Sequence, residues 1–143
     1  MREIKFRAWD KENNKMIYDC GITPDKIPYI IPEEADYSDE FCYYENSILM
    51  QFTNLFDCKQ KEIYEEDIAN ITYICMRFSH WMEITDRGIM KWIDKSAQFS
   101  FEVNNSILNE EMKDLKIEVI GNIYENSELL KSEGYNDPSH PGT

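Results

Sequence analysis

Apolar and polar residues alternate in short runs along most of this chain, and a period of two predicts strands. In the first run Ile4, Phe6 and Ala8 share one face, with Lys5, Arg7 and Trp9 on the other. Polar Asp10 to Lys15 follows, and Met16-Ile17-Tyr18 resumes the apolar pattern, a sequence that reads as a β-hairpin. A second run, Ile48 to Phe52, is followed by a polar stretch from Asp57 to Glu62 and by Ile63-Tyr64. Trp9-Asp10 before Lys15 is thus echoed by Phe56-Asp57 before Lys61. The echo is read as shared hairpin-loop chemistry rather than an internal repeat.

From Asp67 onward strand-like runs come closely spaced. Ile68 to Met76 is first, then Trp81 to Thr85, a turn at Asp86-Arg87-Gly88, and Ile89 to Ile93. Phe99, Phe101 and Val103 alternate with polar partners, and Ile117, Val119 and Ile123 form a fifth run through Gly121. Five short strands with turn signals predict a small closed or half-closed barrel of the SH3-like or OB-like kind. Ser106 to Leu115 has the makings of about two turns of helix on its apolar spacing. Asn126 or Ser127 caps a further turn through Leu130, with Gly134 just past its end. Between Cys20 and Tyr44, three prolines and a run of carboxylates predict a connecting region with little regular structure. The expectation is a mainly β (α+β) chain in which N-terminal β-hairpins pack on a C-terminal small SH3-like β-barrel with short helices. Residues 1–66 make the hairpin region, with the variable acidic, proline-containing segment at 20–44. Residues 67–134 make the barrel and 135–143 a mobile tail.

Composition narrows the function classes. Nine Tyr, seven Phe and three Trp in 143 residues suit pleated surfaces. Twenty-eight acidic against 15 basic residues leave a formal charge of −13, the wrong sign for whole-molecule attraction to a phosphate backbone. Solubility is the simple reading of that charge; an acidic surface aimed at a basic partner is the sharper one. The first residues lack a signal-peptide core, and no stretch approaches the roughly 20 apolar residues of a membrane span. Cys20, Cys42, Cys58 and Cys75 form no C-x-x-C pair, so reduced thiols in a bacterial host cytoplasm are expected, with no membrane association.

Three blocks carry a likeness to a known family. They are Arg2-Glu3-Ile4-Lys5-Phe6-Arg7-Ala8-Trp9-Asp10; Leu49-Met50-Gln51-Phe52-Thr53-Asn54-Leu55 continued by Lys61-Glu62-Ile63-Tyr64-Glu65-Glu66-Asp67-Ile68; and Val119-Ile120-Gly121-Asn122-Ile123-Tyr124-Glu125-Asn126 with Glu128-Leu129-Leu130. In these blocks the chain resembles the YopX family of phage and prophage proteins. The resemblance implies a phage setting and brings no catalytic residue with it. The family usually has Gly where Asn54 and Glu66 stand, a Gly-containing turn where Lys59-Gln60 stands, and Pro where Ser127 stands. Asn accepts positive φ readily, whereas Glu there costs about 1 kcal/mol, so an altered turn is expected at Glu66.

Few residues stand in a pattern that chemistry requires. Glu62, Glu65, Glu66 and Asp67 cluster beside Tyr64, the basis of a weak hydrolase alternative against the commoner reading of a solvated turn. His80 has no ligand-like spacing around it, and no phosphate-cradling glycine loop is present, so neither metal, cofactor nor catalysis is expected. Arg7, Trp9, Asp10, Tyr18 and Tyr64 form the candidate interaction surface, because Trp, Tyr and Arg are favoured anchors. A protein partner is expected, with self-association the first to consider. The alternative is a nucleic-acid surface of Arg77, Trp81, Arg87, Lys91, Trp92 and Lys95. It requires Trp81 and Trp92 to be exposed beside convergent cations; otherwise these rings fill the core.

Overall fold

The computed structural model describes residues 1–103, 106–107 and 113–131. Eleven strands run in chain order: β1 (Phe6–Asp10), β2 (Lys15–Ile22), β3 (Pro28–Ile30), β4 (Cys42–Tyr43), β5 (Ser47–Phe56), β6 (Glu62–Tyr64), β7 (Asp67–Arg77), β8 (His80–Ile93), β9 (Gln98–Val103), β10 (Ser106–Ile107) and β11 (Lys113–Asn122). They form two antiparallel sheets, ordered β4-β3-β2-β1-β5-β6 and β10-β9-β8-β7-β11. About 60% of the chain described is strand, and the only helical segments among the described residues are 3₁₀ turns at Ser38–Glu40 and Ser127–Lys131.

Both sheets are open, which overturns the α+β barrel with short helices. Closing a barrel requires the two edge strands to pair, and in the second sheet β10 and β11 remain at opposite edges. The expected helix over Ser106 to Leu115 is also corrected: Ser106–Ile107 is β10, and Lys113 to Leu115 opens β11. Residues 108–112 of that segment, Gly134 and the tail from 135 to 143 lie outside the described residues. A register shift between Lys113 and Lys116, with Asp114 at φ 52°, carries β11 through an irregular step rather than a helical turn.

The chain divides into two compact units, Met1–Asn54 and Leu55–Thr143, with the division falling inside β5. In the first, β1 lies between β2 and β5, and Ala8 is opposite both Ile17 and Leu49. Ala8, Ile17 and Cys20 are buried there, with Phe6, Ile30, Tyr44 and Leu49 packed around them. The 20–44 region is more regular than expected, since β2 runs to Ile22 and β3 and β4 extend the sheet.

In the second unit β7 and β8 pair without a slip from Ile68↔Ile89 to Arg77↔His80. Ala69, Ile71, Tyr73, Met90, Phe101, Val103 and Val119 fill the core on one face of this sheet, joined by Ile63. The turn expected at Asp86-Arg87-Gly88 is absent, and β8 runs straight through it. Gly88 is there for space: a Cβ would stand 2.8 Å from Ile71 Cδ1 and 3.0 Å from Val103 Cγ2. Asp86 accepts the Tyr73 hydroxyl at 2.6 Å, and Arg87 Nη1 donates to the Leu129 carbonyl at 2.7 Å. The reversal falls instead at Phe78-Ser79, both at positive φ (52° and 65°), the two-residue geometry whose twist matches a hairpin.

Among the described residues, no helix is long and apolar enough to cross a membrane.

Candidate functional site

The five residues expected to form an interaction surface are not one. Arg7, Asp10 and Tyr64 are buried, Trp9 is partly covered, and only Tyr18 is exposed. Arg7 and Ala8 are consecutive and both buried, so both faces of β1 are covered at this point. Asp10 organises the β1–β2 loop: its carboxylate accepts the N–H of Glu12 (3.0 Å), the N–H of Asn13 (3.4 Å) and Asn13 Nδ2 (2.8 Å). The Asn13 side-chain bond, helped by these backbone donors against the effect of burial, holds the Asp10 carboxyl below its usual range.

Asp57 repeats the device. Its Oδ1 accepts the N–H of Lys59 (2.9 Å) and Lys61 (2.8 Å), and its Oδ2 accepts the N–H of Val119 in β11 (2.9 Å). Burial pushes this carboxyl up, but the three donors outweigh it and hold it low. The echo between Trp9-Asp10 and Phe56-Asp57 is therefore loop chemistry, a carboxylate closing a hairpin turn. Asn122 works similarly, accepting the N–H of Tyr124 (3.0 Å) and of Glu125 (2.9 Å).

The acidic cluster at 62–67 is the β6–β7 turn. Asp67 Oδ2 accepts the Tyr64 N–H at 2.8 Å, and the Glu66 carboxylate meets Lys91 Nζ at 3.0 Å. Glu66 sits at φ 68°, so the altered turn expected there is not found. Its N–H reaches the Met90 carbonyl (2.9 Å) and its carbonyl receives the Ile123 N–H (3.1 Å), and these two bonds fix it between strands. Asn54 (φ 66°) and Gln60 (φ 64°) hold the same left-handed conformation, so all three substituted glycine positions keep the backbone that glycine would take. Two members of the proposed hydrolase set, Glu66 and Asp67, thus have folding roles. Among the described residues no group of three His, Cys, Asp or Glu side chains is placed to hold a metal ion. All four cysteines are unpaired, Cys20 and Cys75 buried, Cys42 and Cys58 exposed.

The aromatic and basic residues of β8 are partly exposed but scattered. Trp81 (53%) and Trp92 (46%) meet the exposure condition for a nucleic-acid surface. They lie eleven residues apart in one strand, roughly 36 Å at about 3.3 Å per residue, and on opposite faces by the period of two. Trp92 packs edge-on to Phe99 at 5.0 Å, while Lys113 lies over the Trp81 ring at 4.5 Å. Arg87 is tied to Leu129 and Lys91 to Glu66; Arg77 ends β7 opposite the first residue of β8, and Lys95 is beyond the other end of β8. The cations do not converge.

Two further surfaces have no mark in the amino-acid sequence. At the β7–β8 turn Phe78 is 92% exposed, and Met76, Trp81 and Met82 in the strands that flank it are exposed too. Their exposure follows from pairing: β9 meets β8 only from Gly88 to Ile93, leaving the apex of the ribbon to β7 and the start of β11. Recognising Phe78 as a turn residue was the signal needed, and a bulky aromatic at positive φ is a poor one. The second surface is in the first unit. Asp10, Glu12, Asn13, Tyr43, Tyr44, Glu45 and Asn46 line an open cleft of about 250 Å³. Tyr43 also ends an aromatic group: Tyr29 stacks on Phe41 at 5.7 Å and 10°, with Tyr43 6.1 Å from Tyr29 and 6.4 Å from Phe41.

The profile of the YopX protein family matches residues 5–131, nearly the whole chain. Among solved structures, that of protein EF1440 from Enterococcus faecalis is similar in fold, with a TM-score of 0.58 and 24% identity. The likeness covers 91% of this chain and 99% of that one. No curated protein sequence matches.

Proposed function

The chain belongs to the YopX protein family, and on that premise we propose that it is a phage-type accessory protein working without catalysis in the host cytoplasm, through protein contact at the β7–β8 apex. The observation that carries this reading is Phe78, 92% exposed at a positive-φ position, with the cross-strand pair Met76 and Trp81 exposed next to the turn. A large aromatic held in that conformation and left in water is unfavourable twice over in the free chain. Contact with a partner removes the second cost, and clustered aromatic anchors are where interface energy concentrates.

The test is affinity capture from phage-infected cells with the tagged chain and with a Phe78→Ser/Trp81→Ser variant. Both positions are solvent-facing, so the variant keeps its fold, checked by circular dichroism. The expected result is a defined protein held by the parent chain and lost by the variant. Equal recovery by both would end the proposal. Nucleic acid is the second reading, favoured by the exposure of Trp81 and Trp92 and by Lys113 over the Trp81 ring. Nuclease-sensitive recovery whose strength falls steeply with salt would establish it instead.

A further inference from the structure

Resting on that reading of the apex, we propose that its partner is a second copy of this chain, joined head to tail: Arg77 and Phe78 of one copy seat against the cleft bounded by Asp10, Glu12, Tyr43, Tyr44 and Glu45 of the next.

Charge is the first argument. The chain carries −13, yet residues 33–45 hold Glu33, Glu34, Asp36, Asp39, Glu40 and Glu45 with no Lys or Arg among them. The apex carries a different charge pattern: Arg77 closes β7 opposite His80, and Lys113 and Lys116 on the neighbouring strand offset Asp114 and Glu83. Arg77 is exposed and makes no ion pair among the described residues, and the same is true of Glu12 and Glu45. Asp10 is satisfied within its own loop and faces the charge of Lys15, which leaves Glu12 and Glu45 as the open carboxylates of the cleft.

Shape and chemistry are the second. At about 250 Å³ the cleft falls below the range of roughly 300–1,000 Å³ typical of small-molecule sites, and suits one long side chain. Its walls combine tyrosine rings with carboxylates, the pairing that a planar guanidinium uses, by stacking on the ring face and forking onto an acid. Arg77 brings Phe78 beside it, and Tyr43, 46% exposed, opens from the cleft onto the Tyr29–Phe41 stack as an aromatic landing place. Apex and cleft are different surfaces, so each copy presents one of each. Such heterologous contacts build rings or open chains rather than a two-fold dimer.

Sedimentation velocity of the purified full chain over a wide concentration range tests this by charge exchange. The parent chain is expected to associate reversibly, and less so as salt is raised. Arg77→Glu alone and the Glu12→Lys/Glu45→Lys pair alone should each weaken association by about tenfold or more. Mixing the two variants should restore it, because each new charge then meets its opposite. All three positions are exposed, and circular dichroism of each variant verifies the fold. A parent chain that stays monomeric, variants that associate as well as the parent, or a mixture that stays apart would each overturn the proposal. Capture of a foreign protein that is lost with Phe78→Ser/Trp81→Ser, alongside a monomeric parent, would leave the apex reading standing and refute only the second copy.

Discussion

Replacing Asp57 by Asn changes one oxygen and no volume, and it isolates what the buried carboxylate does. Oδ1 serves the Lys59 and Lys61 N–H groups of the loop, while Oδ2 serves the Val119 N–H inside β11. An amide keeps one acceptor and turns an N–H₂ toward the other donors. Either Val119 or the two loop amides then lose their partner. Val119 and Asp57 are both buried, so water does not replace it. A buried donor left unsatisfied costs about 1–3 kcal/mol, and the charge-assisted bond it loses is of the stronger kind, so about 2 kcal/mol is expected. In a chain of this length that lowers Tm by roughly 8 °C. The assay is urea unfolding of both proteins at neutral pH and again in acid.

The pH dependence has a definite sign. The folded carboxyl is held below its unfolded value, so its contribution is present above the ordinary carboxylate pKa and is lost as pH falls through the folded one. The gap between parent and Asp57→Asn should therefore be widest near neutrality and close in acid, because the parent then protonates the same group. Asp10 titrates alike in both proteins and cancels from the difference. A gap under about 0.5 kcal/mol at neutral pH, the range of ordinary surface changes, would refute the reasoning, as would a gap indifferent to pH.

Gln60→Gly should stabilise the fold by about 0.5–1 kcal/mol, read as a higher urea midpoint, since Gln60 is at φ 64° and glycine relieves that strain at some entropic cost. Asn54→Gly should gain less, because the Asn54 side chain bonds both the N–H (2.9 Å) and the carbonyl (2.8 Å) of Glu3. Gly88→Ala should destabilise by about 1–3 kcal/mol through contact with Ile71 and Val103, and a neutral result in thermal unfolding would contradict the packing described. Tyr73, buried and donating to Asp86, has its hydroxyl pushed up to about 12, so absorbance titration should show an ionisation near pH 12 that Tyr73→Phe removes. A raised folded pKa contributes stability that is whole below pH 10 and drains away as pH climbs toward 12.

Local chemistry was the legible part. The alternation in Ile4 to Trp9, Ile48 to Phe52 and Phe99 to Val103 marks strands because period two suits only a pleated chain. The polar loops after Trp9 and Phe56 read as turns because each is a polar break between two apolar runs, and the structure adds that Asp10 and Asp57 accept the loop amides. Those features lie within a few residues of one another, so a linear reading contains them. The candidate surfaces were not legible in the same way. Arg7 and Trp9 look outward from a two-stranded hairpin, but in the fold Arg7 is buried along with its neighbour Ala8, so both faces of β1 are covered there.

The amino-acid sequence by itself determined the predominance of strands, the polar hairpin loops after Trp9 and Phe56, and the family. Tertiary structure alone decided that Asp86-Arg87-Gly88 would be strand, because the need for room between Ile71 and Val103 arises only once β7, β8 and β9 lie side by side. It also decided that Phe78 would stand in water and that the sheets would stay open. Burial and closure depend on which distant strands become neighbours, and that pairing is a property of the whole chain rather than of any short stretch of it.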